Sequence, residues 1–156
     1  MTDSNLSRSS TNYLANFLLG NFSPRIDKGS RLILPAKFRN QLKQGVVITP
    51  GQERCLYIFP ISEFQTIYEK IKSTPLESKQ ARDFIRSFTD GAEDQIPDKQ
   101  GRITIPARLK EFASLDNEVV VKGAITRLEI WNPQKLDKYR KLTEDVFANI
   151  SEEVLG

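Results

Sequence analysis

Asp27-Lys-Gly-Ser-Arg-Leu-Ile-Leu-Pro-Ala-Lys-Phe-Arg39 returns 71 residues later as Asp98-Lys-Gln-Gly-Arg-Ile-Thr-Ile-Pro-Ala-Arg-Leu-Lys110. Asp, Lys, Arg, Pro and Ala coincide at five positions, and most of the rest pair like with like: Leu32 with Ile103, Leu34 with Ile105, Phe38 with Leu109, Arg39 with Lys110. Further on the register slips by one residue. Val47-Ile-Thr-Pro-Gly51 then matches Val119-Val-Val-Lys-Gly123, and Leu56-Tyr-Ile-Phe59 matches Leu128-Glu-Ile-Trp131, at an offset of 72. Self-similarity over this length marks one supersecondary unit used twice.

Each copy reads as a turn, a strand (31–34 and 102–105), a short helical turn opened by Pro35 or Pro106, a strand (46–49 and 118–122), a turn, a strand (55–59 and 127–131) and a helix. Ser62 is placed to cap a helix whose face carries Phe64, Ile67, Tyr68 and Ile71, and Asn132-Pro133 supplies a cap and a first-turn proline before Leu136 and Tyr139. Between the copies, a helix over 78–88 buries Ala81, Phe84, Ile85 and Phe88 and turns Lys79, Arg82 and Arg86 outward. A module of about 50 residues with three short strands buries too little surface to stand alone. The expected fold is therefore α+β, mainly β, with the strands of the two modules interleaved in one pseudo-symmetric barrel. Its parts are an N-terminal tail (1–13), module 1 (14–72), a helical connector (73–93), module 2 (94–142) and an acidic C-terminal tail (143–156).

Composition narrows the chemistry. Of 156 residues, 38% are hydrophobic and 28% charged, a globular balance, and the longest apolar runs are far too short to cross a bilayer. There is no histidine, which removes imidazole bases, His-dependent triads and His-ligated metals. The single cysteine, Cys55, can form no internal disulfide and sits in a strand-like run as a small core or half-buried residue, consistent with a reducing, cytoplasmic compartment. No cofactor, metal or small-molecule substrate is implied. The net charge of +3 hides an asymmetry: residues 143–156 hold four acids and no Lys or Arg, so residues 1–142 carry +7. A basic body permits a polyanionic partner.

The repeated turn concentrates that charge. Arg25, Lys28, Arg31, Lys37 and Arg39 in the first copy, and Lys99, Arg102, Arg108 and Lys110 in the second, set nine cations against only Asp27 and Asp98 within 25–39 and 98–110. Gly29 and Gly101 give each turn the backbone freedom of a tight bend. A carboxylate four residues before an arginine can take amide hydrogens of its own turn or orient the guanidinium, fixing a side chain that would otherwise lose entropy on binding. Such clusters position phosphates, and an oriented arginine reads guanine edges in a major groove. The bland reading of the same pair is a surface ion bridge closing a hairpin. An aspartic-protease dyad of Asp27 and Asp98 is disfavoured, because Lys follows each Asp and Arg lies four residues on.

The doubled Asp-x-x-x-Arg motif, the Arg-Ile-Thr-Ile-Pro-Ala block, Glu118-Val-Val-Val-Lys-Gly123 and Leu128-Glu-Ile-Trp131 resemble the MraZ family of bacterial regulators, built from two fused AbrB-like (SpoVT-AbrB) modules; the likeness covers about residues 14–142. The resemblance implies a swapped-hairpin barrel with helices alongside and assembly into a closed ring such as an octamer. It implies binding of double-stranded DNA at short repeated operator sites, usually repressing the regulator's own cell-division and cell-wall gene cluster on the nucleoid. Its DNA-contacting turns fall on Asp27–Arg31 and Asp98–Arg102. One departure stands out: the family's Gly directly before the Arg is present as Gly101, whereas the first copy has Ser30 there and Gly29 one place earlier. An antitoxin-like or scaffold module, its barrel binding a protein, is the alternative. Trp131 reads as core or interface packing, Arg82 and Arg86 as a solvated face, and Glu129 as outward-facing with an ion pair between strands or protomers.

Overall fold

A computed structural model describes residues 17–156, apart from the side chains at 150–152. The tail expected at 1–13 and the start of module 1 lie outside the described residues. Eight strands occur among the rest: β1 (Leu18–Phe22), β2 (Arg31–Ile33), β3 (Val46–Pro50), β4 (Leu56–Pro60), β5 (Glu93–Gln95), β6 (Arg102–Thr104), β7 (Val120–Ile125) and β8 (Leu128–Trp131). Six of them form one sheet in the order β1-β7-β8-β4-β3-β5, and β2 pairs with β6 in a separate ribbon. All pairings are antiparallel.

The sheet order reads the same when the two halves of the chain are exchanged. β3–β4 and β7–β8 are hairpins within one half, whereas β1–β7, β3–β5, β4–β8 and β2–β6 all join one half to the other. The repeat is thus expressed as an intramolecular pseudo-dimer with swapped edge strands. The core follows the repeat pair by pair: Leu32 and Ile103, Leu34 and Ile105, Phe38 and Leu109, Leu56 and Leu128, Ile58 and Ile130 are all buried. Each contributes about 1.5–3 kcal/mol relative to exposure, and all of them belong to one core cluster drawn from both halves.

The barrel expected from sequence does not close: the described strands form an open sheet plus a ribbon. Beyond β1 the ladder shrinks to isolated bridges, Arg25 with Glu118 and Ile26 with Leu32. Pro24 stands at this point and has no N–H to continue the ladder; only its carbonyl takes part, accepting from Val119 N–H at 3.3 Å.

Among the described residues six α-helices flank the strands: α1 (Ala36–Leu42), α2 (Ile61–Lys72), α3 (Lys79–Gly91), α4 (Ala107–Phe112), α5 (Pro133–Leu142) and α6 (Val146–Leu155). Pro35 and Pro106 precede α1 and α4 as expected, and Asn132 caps α5 by accepting from Lys135 N–H at 3.0 Å. Ser62 does not cap α2. That helix starts after Pro60, its first amide tied to the Gly45 carbonyl at 3.1 Å, so Ser62 lies inside its first turn. Ser78 caps α3 through Ala81 N–H at 3.2 Å, but no residue of α3 is buried. Phe88 stacks between Phe64 and Phe84, with centroids 6.1 Å away on each side, while Phe84 stays 60% exposed. The C-terminal stretch read as an acidic tail contains α6.

Candidate nucleic-acid interface

The two repeated turns fold alike, atom for atom. In the first, Asp27 Oδ1 accepts the amide hydrogens of Gly29 and Arg31, both at 2.9 Å, and Oδ2 accepts Arg31 Nε–H at 3.0 Å. In the second, Asp98 Oδ1 accepts from Gln100 and Arg102 amides, both at 2.9 Å, and Oδ2 accepts Arg102 Nε–H at 2.7 Å. Backbone bonds close each bend: Asp27 N–H to Arg31 O (2.9 Å) and Ser30 N–H to Asp27 O (3.0 Å), matched by Asp98 N–H to Arg102 O (3.0 Å) and Gly101 N–H to Asp98 O (2.9 Å). The carboxylate thus does both things its spacing allows: it takes the amides of its bend and aims the guanidinium. Both aspartates are held below the ordinary carboxylate range, first by the amide of the arginine four residues on, with that arginine's guanidinium adding to the effect.

The departure at Ser30 is resolved by the backbone. The left-handed residue is the one directly before the arginine in both copies, Ser30 at φ 62° and Gly101 at φ 78°; Gly29 does not occupy that position. Each of these residues is braced from the opposite module. Lys110 Nζ donates to Ser30 Oγ at 3.1 Å, and its counterpart Arg39 lies across Gly101, its Cδ and Nε 2.8 Å from where a Cβ would stand. The carbonyls of the same two residues accept Ile105 N–H and Leu34 N–H, both at 2.8 Å. Neither turn is held by its own half alone.

The register of β2 against β6 sets what faces outward. Leu32 pairs with Ile103 and both point into the core, so Arg31, Ile33, Arg102 and Thr104 share the opposite face. Arg31 stands opposite Thr104 and Arg102 opposite Ile33, which places the two arginines on a diagonal about 7–8 Å apart at Cα by antiparallel-sheet geometry. The tips of the bends, with Lys28 and Lys99, project from opposite ends of the ribbon and are exposed.

The other expected residues scatter more. Arg25 is exposed and paired with Glu118 at 3.0 Å. Lys37 on α1 runs toward β1, its Nζ 3.6 Å from the Cβ position of Gly20, and Arg108 is exposed on the first turn of α4. Residues that sequence reasoning passed over join the site: Ile33 and Thr104 on the ribbon, Asn40 and Lys43 on or after α1, and Gln95, whose amide oxygen accepts Thr104 N–H at 2.8 Å. The alternation around Leu32 and Ile103 was the signal for the first two.

Away from this layer, Cys55 is buried, its thiol pushed up to about 12 chiefly by that burial and next by the charge of Glu129. Trp131 is buried as expected. Glu129 is not outward-facing in the sense expected: its side chain is only 13% exposed, and it accepts from Arg127 in the turn just before β8 and from Trp131 Nε1–H, each at 3.0 Å. Arg82 ties down the connector by donating to the carbonyls of Leu76 and Glu77. Among the described residues no group of three or more His, Cys, Asp and Glu side chains is placed to hold a metal ion, and no helix is long and apolar enough to cross a membrane.

Fold and site together define a doubled, strand-swapped module that presents two carboxylate-aimed arginines on one exposed ribbon. The family model "MraZ protein, putative antitoxin-like" matches the chain twice, over residues 17–87 and 88–156. Similar proteins include those named Transcriptional regulator MraZ from Micrococcus luteus, 52% identical, and from Kocuria rhizophila and Salinispora tropica, each 53% identical. Each alignment spans 137 residues, 88% of this chain and 96% of the relative. The chain belongs to the MraZ family.

Proposed function

We propose that the chain is a transcriptional regulator that grips double-stranded DNA with its β2–β6 ribbon, each Asp–Arg turn presenting one arginine to base edges or phosphates. The carrying observation is the pair Arg31 and Arg102 on one outward face, each locked by its own aspartate. A major groove admits a two-stranded ribbon, and guanidinium pairs with guanine edges are its commonest specific contact. Lys28 and Lys99 at the tips are suited to backbone phosphates, with Arg39, Arg108 and Lys110 flanking. Modules 14–72 and 94–142, joined by the connector 73–93, act as one reading head.

One protomer of net charge +3 can neutralise few phosphates, so its affinity alone is weak and strongly salt-dependent. A closed ring of protomers, such as an octamer, engaging repeated operator sites about one helical turn apart gains by effective concentration without new contacts per copy. The reading extends to repression of the regulator's own cell-division and cell-wall gene cluster, on the nucleoid in the cytoplasm. Catalysis by Asp27 and Asp98 is not supported: a proton-sharing dyad needs one carboxylate with a raised pKa, and both are lowered.

The test is a mobility-shift titration of the full chain on the DNA upstream of its own gene at several salt concentrations. The expected result is sequence-preferring binding with a steep salt slope. Arg31→Ala and Arg102→Ala each weaken it by about 1–3 kcal/mol and leave the melting temperature nearly unchanged. Failure to retard this DNA at moderate salt, together with tight capture of a protein partner, would favour the antitoxin-like reading that the family description carries.

A further inference from the structure

The pseudo-two-fold relates the backbones around the two turns closely and their chemistry poorly. Between α1 and the second turn lies an open cleft of about 370 Å³, walled by Leu34, Pro97 and Asp98 and carrying the polar groups of Arg39, Asn40, Lys43 and Lys99. Arg39 is held there by its Nε–H, which donates to the Leu34 carbonyl at 3.0 Å; its terminal nitrogens make no hydrogen bond to the described residues. Asp98 is already committed to the amides and guanidinium of its own turn, so its charge is matched locally.

The repeat offset of 71 places Lys110, Glu111, Ser114 and Lys28 at the corresponding positions beside the first turn. There Lys110 is drawn onto Ser30 Oγ at 3.1 Å, Ser114 Oγ accepts from Lys135 Nζ at 3.0 Å, and Glu111 brings a negative charge where the cleft has Asn40. The ribbon repeats the imbalance: Ile33, 48% exposed, occupies the place that Thr104 occupies in the other copy. An exposed isoleucine can meet a thymine methyl, whereas a threonine hydroxyl hydrogen-bonds.

We infer that the cleft is a phosphate subsite for the duplex backbone, present beside the second turn only, so that each protomer sits on its half-site in one orientation. The inference rests on the reading of the ribbon as the duplex-facing surface. The cleft opens where Leu34 N–H meets the Gly101 carbonyl, at one end of the ribbon, and a ribbon lying in a groove has a phosphate row at each end. Two lysines, a fixed arginine and an amide supply the donors that phosphate oxygens take. At the other end, Glu111 opposes the phosphate row there.

The experiment uses the full chain on duplexes carrying one half-site, with a neutral methylphosphonate placed at single positions on either flank. Lys43→Gln is compared with Ser114→Ala, its counterpart in the repeat. Lys43→Gln should weaken binding about tenfold and reduce the salt slope by about one, while Ser114→Ala changes neither. A methylphosphonate should weaken the wild-type complex more on one flank than on the other, and Lys43→Gln should remove that difference. Equal sensitivity on both flanks, or Lys43→Gln behaving like Ser114→Ala while Arg31→Ala and Arg102→Ala still lose binding, overturns this inference and leaves the ribbon reading intact. Loss of neither arginine mattering overturns the ribbon reading itself. Titration of the cleft by inorganic phosphate, with Lys43→Gln silent on the duplex, would assign the site to a free phosphate and likewise overturn the inference.

Discussion

At the scale of single residues, the turns show how a carboxylate can strengthen a basic site instead of opposing it. Asp27 and Asp98 each cancel one charge, yet they hold three N–H groups apiece and leave the arginine fork aimed outward. Asp27→Asn keeps an oxygen for the two amides but offers Arg31 Nε no anionic acceptor, so DNA affinity should fall even though net positive charge rises; tighter binding would refute the aiming role. Because both carboxyls are held below the ordinary aspartate range, their contribution is complete above that range and is lost as pH falls through the folded-state values. A carboxyl-carbon NMR titration should therefore place both midpoints below that of an aspartate in an unstructured peptide, and a midpoint above it would contradict the geometry. The paired left-handed positions make a sharper contrast. Gly101→Ala must tolerate φ 78° and displace Arg39 from 2.8 Å, breaking its bond to the Leu34 carbonyl. The cost of about 1–2 kcal/mol should lower the calorimetric melting point by about 3–6 °C. Ser30 already bears that φ, which its hydrogen bond from Lys110 helps to hold.

At the scale of elements, what could be read from sequence follows the strength of local signals. β2, β6 and the hairpin strands were visible because branched apolar residues recur in both copies, and α5 because Asn132-Pro133 is a start signal no other element competes for. Asn132 also donates to the Ser114 carbonyl at 2.8 Å, so Asn132→Ala should remove both a cap and a tie to the end of α4, lowering stability by about 1–2 kcal/mol with the loss visible in thermal melting. A melting curve unchanged from wild type would show that α5 is held by Leu136 and Trp131 packing alone. The edge strands were not visible, for a physical reason. β1 has Gly20 at its centre and β5 is Glu93-Asp94-Gln95, so neither carries apolar alternation; both exist because a hairpin edge of the opposite module offers backbone partners. α6 was obscured by four acids around a stripe that includes Val146, Phe147, Val154 and Leu155. The connector α3 was located correctly by its stripe, but that stripe says only which residues share a face, not that something covers it. The candidate site was readable in its turns and not in its asymmetry, since Asn40 and Lys43 acquire meaning only once the second turn is folded beside them.

At the scale of the whole molecule, four of the six strand pairings and both turn braces cross between the halves. Arg31 and Arg102 are neighbours only because β2 meets β6, so the site is a property of the assembled pair and not of either module. The same topology fixes how the chain must fold. A half cut off within the connector would leave Leu32, Leu34, Leu56 and Ile58, or their counterparts Ile103, Ile105, Leu128 and Ile130, without the surface that buries them. Losing four such side chains at about 1.5–3 kcal/mol each removes about 6–12 kcal/mol, comparable with the whole 5–15 kcal/mol that holds an ordinary domain together. Fragments 1–76 and 77–156 are therefore expected to show no cooperative unfolding as monomers. Mixed in equal amounts, they should recover a single thermal transition, native-like amide protection in β4 and β8, and retardation of the same upstream DNA. If either fragment melts cooperatively as a monomer at concentrations too low for pairing, the halves are independent domains; the arginine ribbon would then be a contact between finished folds and not the seam along which one fold forms.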